Sequence, residues 1–331
     1  MPDQRIQARS GDLQLSVRTL GEGPLVILMH GWPELGISWR HQMQPLATAG
    51  FTVAAPDMRG YGASSKPRDV RAYGLDALAD DMAAVADALG RRSWVSVGHD
   101  WGAPVAWRTA LRFPERVAGV FGLSVPYAPA PPAPVLDILN AVYADRFFYM
   151  TYFQNIGEPE AELEADVRAS LKQIFFSLSG DAPKDDWLRE RSRNDRLLPG
   201  LSQAPDGPLS FMSDEELDHY AEAFRLGGFF GPISWYRNFD TDFDEAHAYG
   251  DGVLRKPAGF LCGEREVVLS MTPGGLQAMR DFAPDLRSET ILAGAGHWIQ
   301  QERPAQVSEA LITFLRSLEI EEAGREWAIR P

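Results

Sequence analysis

Residues 96–102 read SVGHDWG. An apolar run, RSWVSVG, leads into this stretch, and PVAWRTALRFPERV leaves it with Pro104 well placed for a first helical turn. A strand, a sharp turn and a helix, with Gly98 and Gly102 two positions either side of Asp100, form the layout that presents a nucleophile at the top of a parallel sheet. Glycines suit such a turn because neighbouring β-carbons would collide in it. Aspartate is also a favoured helix N-cap, so the segment alone supports a purely structural reading as well. The rest of the chain has to decide.

Working outward, Leu13, Leu15 and Val17 alternate with polar residues as in a half-buried strand. PLVILMHG, FTVAAPD (51–57) and VAGVFGLSV (117–125) are continuous apolar runs, as expected of strands covered on both faces. Leu75, Leu78, Met82, Val85 and Leu89 recur at helical spacing, and Gly90 stops the pattern. Strands alternating with helices predict a parallel sheet with right-handed crossovers. After Tyr127 the texture changes. APAPPAP (128–134) is stiff and cannot join a sheet, and from there to about residue 250 only helical patterns occur. Leu163, Val167, Leu171, Ile174, Phe175 and Leu178 read as one apolar stripe, and Ser213 with Glu216 forms a capping box before Leu217, Tyr220 and Phe224. Alternation returns with KPAGFLCGE, RSETILAGAGH and a final helix in RPAQVSEALITFLRSLE. The expected organisation is an α/β core over 1–127 and 253–331, split by a helical cap over 128–252.

The formal net charge of -14 disfavours nucleic acid and anionic membrane surfaces as partners. No apolar stretch is long enough to span a bilayer, and the polar N-terminus lacks a basic-then-apolar leader, so a cytoplasmic location is expected. The one cysteine, Cys262, rules out an internal disulfide or thiolate cluster. The six histidines show no His-Glu-x-x-His or comparable spacing, so neither a metal nor a cofactor is expected. Composition leaves monomer and homo-oligomer equally open.

Two other segments supply partners for Asp100. LAGAGHW places His297 just beyond a strand near the C-terminus, and LCGEREV ends the preceding strand with Glu264 and Glu266. The order nucleophile, acid, histidine fits a triad on this architecture, with Glu266 the expected orienting acid and Glu264 its rival. The segment after the fourth apolar run, LSVPYAPAPPAPV, has no carboxylate for that task. MHGWP (29–33) is a loop of His30, Gly31, Trp32 and Pro33 after an early strand. The backbone N–H groups of Trp32 and Trp101 are the candidate oxyanion hole, and Glu34 is a candidate for positioning a water.

These segments together resemble the α/β-hydrolase-fold epoxide hydrolases of the soluble type, over nearly the whole chain. His30-Gly31-Trp32-Pro33, Asp57-Met58-Arg59-Gly60-Tyr61-Gly62, Gly98 to Ala103 and Gly296-His297-Trp298 are each similar to a family motif. TYFQNIGEPEAELE and WYRNF resemble the cap segments that carry the family's two active-site tyrosines, which implies Tyr152 and Tyr236 here. Tyr149, one helical turn earlier, is the competing position. The resemblance implies a mostly parallel sheet flanked by helices, a helical lid, no cofactor, and a small lipophilic epoxide as substrate. Phe153, Trp235 and Trp298 are the candidate pocket residues. Two other readings use the same residues: a haloalkane or haloacid dehalogenase with the same aspartate, and a non-catalytic ligand-binding member of the fold.

Overall fold

The structure is a computed structural model that describes residues 4–184 and 186–318, together with the backbone of 321–322 and 325–326. Eight strands form the main sheet: β1 (Gln4–Ser10), β2 (Leu13–Leu20), β3 (Leu25–Met29), β4 (Thr52–Pro56), β5 (Trp94–His99), β6 (Val117–Leu123), β7 (Ala258–Gly263) and β8 (Leu286–Leu292). Their spatial order is β1-β2-β4-β3-β5-β6-β7-β8. Pairing from β4 through β8 is parallel, whereas β1 and β2 join antiparallel. Every residue of β3, β4, β5 and β7 is buried, which is what their unbroken apolar runs require of strands sandwiched between helices.

Strand β1 escapes the sequence pattern. It is an edge strand with only Ala8 buried, so its residues carry almost no apolar alternation. Its register is set by β2, from Gln4 opposite Thr19 to Ser10 opposite Leu13.

Among the described residues, 128–252 hold helices and turns, with no strand beyond two isolated bridges. The apolar stripe from Leu163 to Leu178 is carried by two helices, Glu158–Glu164 and Val167–Ser177, rather than one. Asp166 divides them because its carboxylate caps the second helix by accepting the Ala169 N–H. The capping box is formed as its residues dictate. The Ser213 hydroxyl accepts the Glu216 N–H at 3.2 Å and the Glu216 carboxylate accepts the Ser213 N–H at 2.8 Å. This helix, Asp214–Gly227, turns Tyr220 down to Ser38, 2.7 Å between hydroxyls. The Trp235 indole donates to the Arg59 carbonyl at 3.1 Å. Both bonds seat the helical layer on the C-terminal ends of the parallel strands, the edge where α/β sheets place their ligands.

Candidate active site

The elbow follows from local geometry. Asp100 has φ 51°, in the left-handed region that non-glycine residues rarely occupy. The turn is so tight that a β-carbon at Gly98 would run into the Gly102 carbonyl, and one at Gly102 would run into the Met29 carbonyl of the neighbouring strand. Packing of the β5 turn against the end of β3 therefore holds the strained residue in place. Gly98→Ala is expected to lower stability by about 1–3 kcal/mol, read as a lower urea midpoint at unchanged slope.

Four strand ends converge on the Asp100 carboxylate. From β3, the HGWP loop brings the Trp32 N–H to Oδ1 at 2.7 Å. His30 fixes that loop from beneath: its Nδ1–H donates to the Gly31 carbonyl at 2.9 Å and its Nε2 accepts the Met58 N–H at 2.9 Å. A β-carbon on Gly31 would collide with both Asp100 Oδ1 and the Trp101 N, so these three groups meet at one point, and the Trp32–Pro33 peptide there is cis. From beyond β8, His297 places Nε2 3.3 Å from Asp100 Oδ2. From beyond β7, Glu266 takes the opposite ring nitrogen, with Nδ1 2.8 and 3.0 Å from its two oxygens. Glu266 also accepts the Val268 N–H, which fixes its rotamer. Glu264 is exposed and accepts the Gly294 N–H instead, so it is not beside His297.

The electrostatics follow from burial. Burial works against a charged His297, yet the Glu266 charge and the bonds to Asp100 and Glu266 outweigh it and hold the imidazole well above its ordinary range. Burial likewise opposes ionisation of Glu266, but His297 and the Val268 N–H keep it below the usual carboxylate range. Both directions favour an imidazolium at His297 held against an ionised Glu266.

Glu34 is fully buried and off the cavity lining. Its carboxylate accepts from Gln300 Nε2 at 2.8 Å and Gln301 Nε2 at 2.9 Å, and lies 2.7 Å from His99 Nδ1. Burial opposes its charge, but the neighbouring His99 holds it below its ordinary value. His99 in turn reaches the His297 carbonyl through Nε2 at 2.7 Å. His99 was not singled out in the sequence. Its signal was present, a histidine inside the elbow itself, but its partners lie 65 and 198 residues away.

The cap side corrects one assignment. Tyr149, not Tyr152, faces Tyr236 over Asp100. Asp100, Tyr149 and Tyr236 line one cavity of about 330 Å³, and the two tyrosine rings lie 5.8 Å apart, edge to face. Both phenols are held well above their ordinary range, first by burial; Asp100 adds its charge for Tyr149, and for Tyr236 the two phenols oppose each other's ionisation, with Asp100 adding to it. Tyr152 lies three residues on, at the other end of the one-turn helix Tyr149–Tyr152, and its hydroxyl donates to Glu162 at 2.9 Å. Glu162 also accepts the Leu197 and Leu198 N–H groups, so Tyr152 ties the cap together.

The three candidate pocket residues are corrected too. Phe153, Trp235 and Trp298 are fully buried and do not line the cavity. Phe153 packs edge-on behind Tyr236 and Trp32, at 5.0 and 5.2 Å. The Trp298 indole donates to the Phe175 carbonyl while its ring abuts His297 at 4.8 Å. The walls are instead aliphatic and aromatic side chains such as Trp101, Phe148, Met150, Phe239, Val268 and Met271.

A nucleophile elbow, a histidine and acid from the following strand ends, and a helical cap over them define the class. The chain belongs to the alpha/beta hydrolase fold family, whose model matches residues 24–304. Within it the chain is an epoxide hydrolase. It is 38% identical to "Epoxide hydrolase A" of Mycobacterium tuberculosis, covering 96% of this chain and 99% of that one. It is 36% identical to "Epoxide hydrolase" of Caballeronia sordidicola, covering 93% and 92%. The crystal structure of Epoxide Hydrolase A from Mycobacterium thermoresistibile superposes with a TM-score of 0.91 at 37% identity, covering 97% and 100%. Potato epoxide hydrolase I gives 0.85 at 31% identity, covering 96% and 100%. The substrates of such enzymes are small molecules. Among the described residues no helix is long and apolar enough to cross a membrane.

Proposed function

We propose that this epoxide hydrolase works in two covalent steps on Asp100. The observation that carries the reading is the division of labour between the two carboxylate oxygens: Oδ1 sits on the Trp32 N–H, Oδ2 lies 3.3 Å from His297 Nε2, and Asp100 lines one cavity with Tyr149 and Tyr236. In the first step Oδ2 attacks a ring carbon from the back, the C–O bond of the ring breaks, and Tyr149 and Tyr236 hydrogen-bond the departing oxygen and protonate it. The ester so formed is neutral at Asp100. This removes one of the charges that sustain the imidazolium, and the His297 proton restores the phenol.

In the second step neutral His297, oriented by Glu266, takes a proton from water, whose oxygen attacks the ester carbonyl. The carbonyl oxygen is Oδ1, already on the Trp32 N–H, with the Trp101 N–H as second donor to the oxyanion. The C–O bond to Oδ2 at the acyl carbon breaks, the proton on His297 passes to Oδ2 as the diol leaves, and the remaining proton of the water oxygen, now on the Asp100 carboxyl, passes to His297, which restores carboxylate and imidazolium. Glu34 positions His297 indirectly, through His99.

The oxygen balance supplies the test. In a single turnover in H₂¹⁸O the diol is expected to contain no label, and the peptide carrying Asp100 is expected to gain one ¹⁸O. Label in the first diol would show direct attack of water on the ring and overturn the ester. The apolar walls favour a lipophilic epoxide. Residues 128–252 act as the cap over a core of 1–127 and 253–331. A cytoplasmic location fits a chain whose one cysteine is buried in β7.

A further inference from the structure

Tyr236 stands on a short 3-10 turn, Tyr236–Asn238, that runs directly into the cap helix Phe239–Ala246. This stretch rests on the elbow. The Tyr236 ring meets the Trp101 indole edge to face at 5.0 Å, and Phe239 stacks on the same indole at 5.8 Å. Apolar contact has little direction, so rings alone leave a phenol free to slide. The bonds that fix it come from the residues that follow.

Asn238 and Asp242 are both buried, and both reach the core segment 70–75. Asn238 Nδ2 donates to the Val70 carbonyl at 2.7 Å and to the Ser234 carbonyl at 2.8 Å. Asp242 Oδ1 accepts the Leu75 N–H at 2.7 Å. Leu75 opens the core helix Leu75–Ala88, and Gly74 before it has no side chain to take up a free N–H of the first turn. The cap residue supplies that acceptor from 167 positions away. A β-carbon on Gly74 would lie 3.4 Å from Asp242 Oδ1 and 3.7 Å from Asn238 Oδ1, so the two side chains close over this one glycine. The Asp242 carbonyl in turn accepts from Arg108 at 3.0 Å, and Arg108 belongs to the helix Gly102–Arg112 that leaves the nucleophile turn. Burial pushes the Asp242 carboxyl up to about 7, so near neutrality its hold on Leu75 rests on an oxygen acceptor more than on a full charge. Tyr149 is fixed differently. The Phe147 N–H beside it donates to the Arg191 carbonyl at 3.0 Å, and its own ring abuts Trp187 at 5.2 Å, both partners within the cap.

Resting on the two-step reading proposed above, we infer that Asn238 and Asp242 are positioning residues for Tyr236. They tie its turn to the core, so this proton donor is held in the frame of Asp100, while Tyr149 is carried by the cap. A donor displaced by about 1 Å from the departing oxygen loses most of its effect on ring opening. Ester breakdown draws on His297 and Glu266 and does not depend on that placement.

The test uses rapid-quench single turnovers of styrene oxide, with intact mass reading ester formation and breakdown separately. Asp242→Ala is expected to slow ester formation about tenfold and to leave breakdown within a factor of about 2. Asp242→Asn keeps an oxygen opposite the Leu75 N–H, and is expected to form ester within a factor of about 2 of wild type. In a Tyr236→Phe background Asp242→Ala should add a loss of less than about twofold, whereas in a Tyr149→Phe background it should keep a loss of about tenfold. Asn238→Ala is expected to show the same selective loss, and carries the test where Asp242→Ala does not fold. Equal slowing of both steps, or an undiminished loss in Tyr236→Phe, would mark a general loosening of the cap and overturn the positioning. So would ester formation at the wild-type rate in both alanine variants. Ester formation as slow in Asp242→Asn as in Asp242→Ala would overturn the part played by the acceptor oxygen. A wild type that builds no ester on Asp100 overturns the two-step reading itself, and this inference with it.

Discussion

His297→Gln is expected to stop the enzyme halfway. The histidine has no part in making Oδ2 nucleophilic, since a carboxylate is ionised at neutral pH without a base. Its task begins when the ester needs an activated water. Steady-state turnover should fall by about 10³-fold or more, while the first step survives. Intact-mass measurement should then show protein plus the full mass of the epoxide, because ring opening is an addition with nothing expelled. A dehalogenation would add the substrate less hydrogen halide. Absence of any adduct with a reactive epoxide refutes the two-step scheme.

The same residue sets the pH dependence. Only neutral His297 can act as a base, and its folded-state pKa is held well up by Glu266 and Asp100 against burial. Esterification of Asp100 removes one of these supports, so ester breakdown should rise with pH through a lower pKa than that of free His297. Ring opening needs the phenols protonated, and burial holds both well above their ordinary range, so this step should stay flat until strongly alkaline pH. Pre-steady-state rates measured separately for ester formation and breakdown test the sign. A breakdown rate that falls as pH rises through neutrality would rule out His297 as base.

Tyr149→Phe and Tyr236→Phe are each expected to cut the rate of ester formation by about 10²-fold, with Tyr152→Phe leaving that rate within a factor of about 2. The first two remove a proton donor over Asp100. The third removes a bond to Glu162, whose other partners are the Leu197 and Leu198 N–H groups, so its effect belongs to cap stability. Leaving Glu162 buried with one fewer donor should cost about 1–3 kcal/mol, seen as a lower thermal midpoint. A large loss of ester formation in Tyr152→Phe at full stability would reverse the assignment.

The Tyr149 and Tyr152 pair shows where sequence reading stops. Three residues apart on a single helical turn, both are buried, both are flanked by aromatics, and both satisfy the same local pattern. What separates them is Glu162, ten residues on and in another helix, which claims one hydroxyl. The same holds for Phe153, Trp235 and Trp298. Their size and proximity to site motifs suggested lining residues, whereas each is drawn into packing behind the side chains that do line the cavity. Strand β1 went unread because an edge strand exposes nearly all its side chains and leaves no period to detect.

The elbow, the order of nucleophile, acid and histidine, the parallel strands and the helical insertion were all written in the sequence. Each rests on local chemistry: glycines where β-carbons collide, apolar runs where both faces are covered, proline where a strand has to end. The sequence already favoured Glu266 with Glu264 as its rival, and the contacts of the two separate them; the choice of Tyr149 over Tyr152 and the link from Glu34 through His99 to His297 belong to the tertiary structure alone. Each depends on which of two similar side chains meets a partner far along the chain, and a contact between distant residues leaves no local period by which a sequence reveals it.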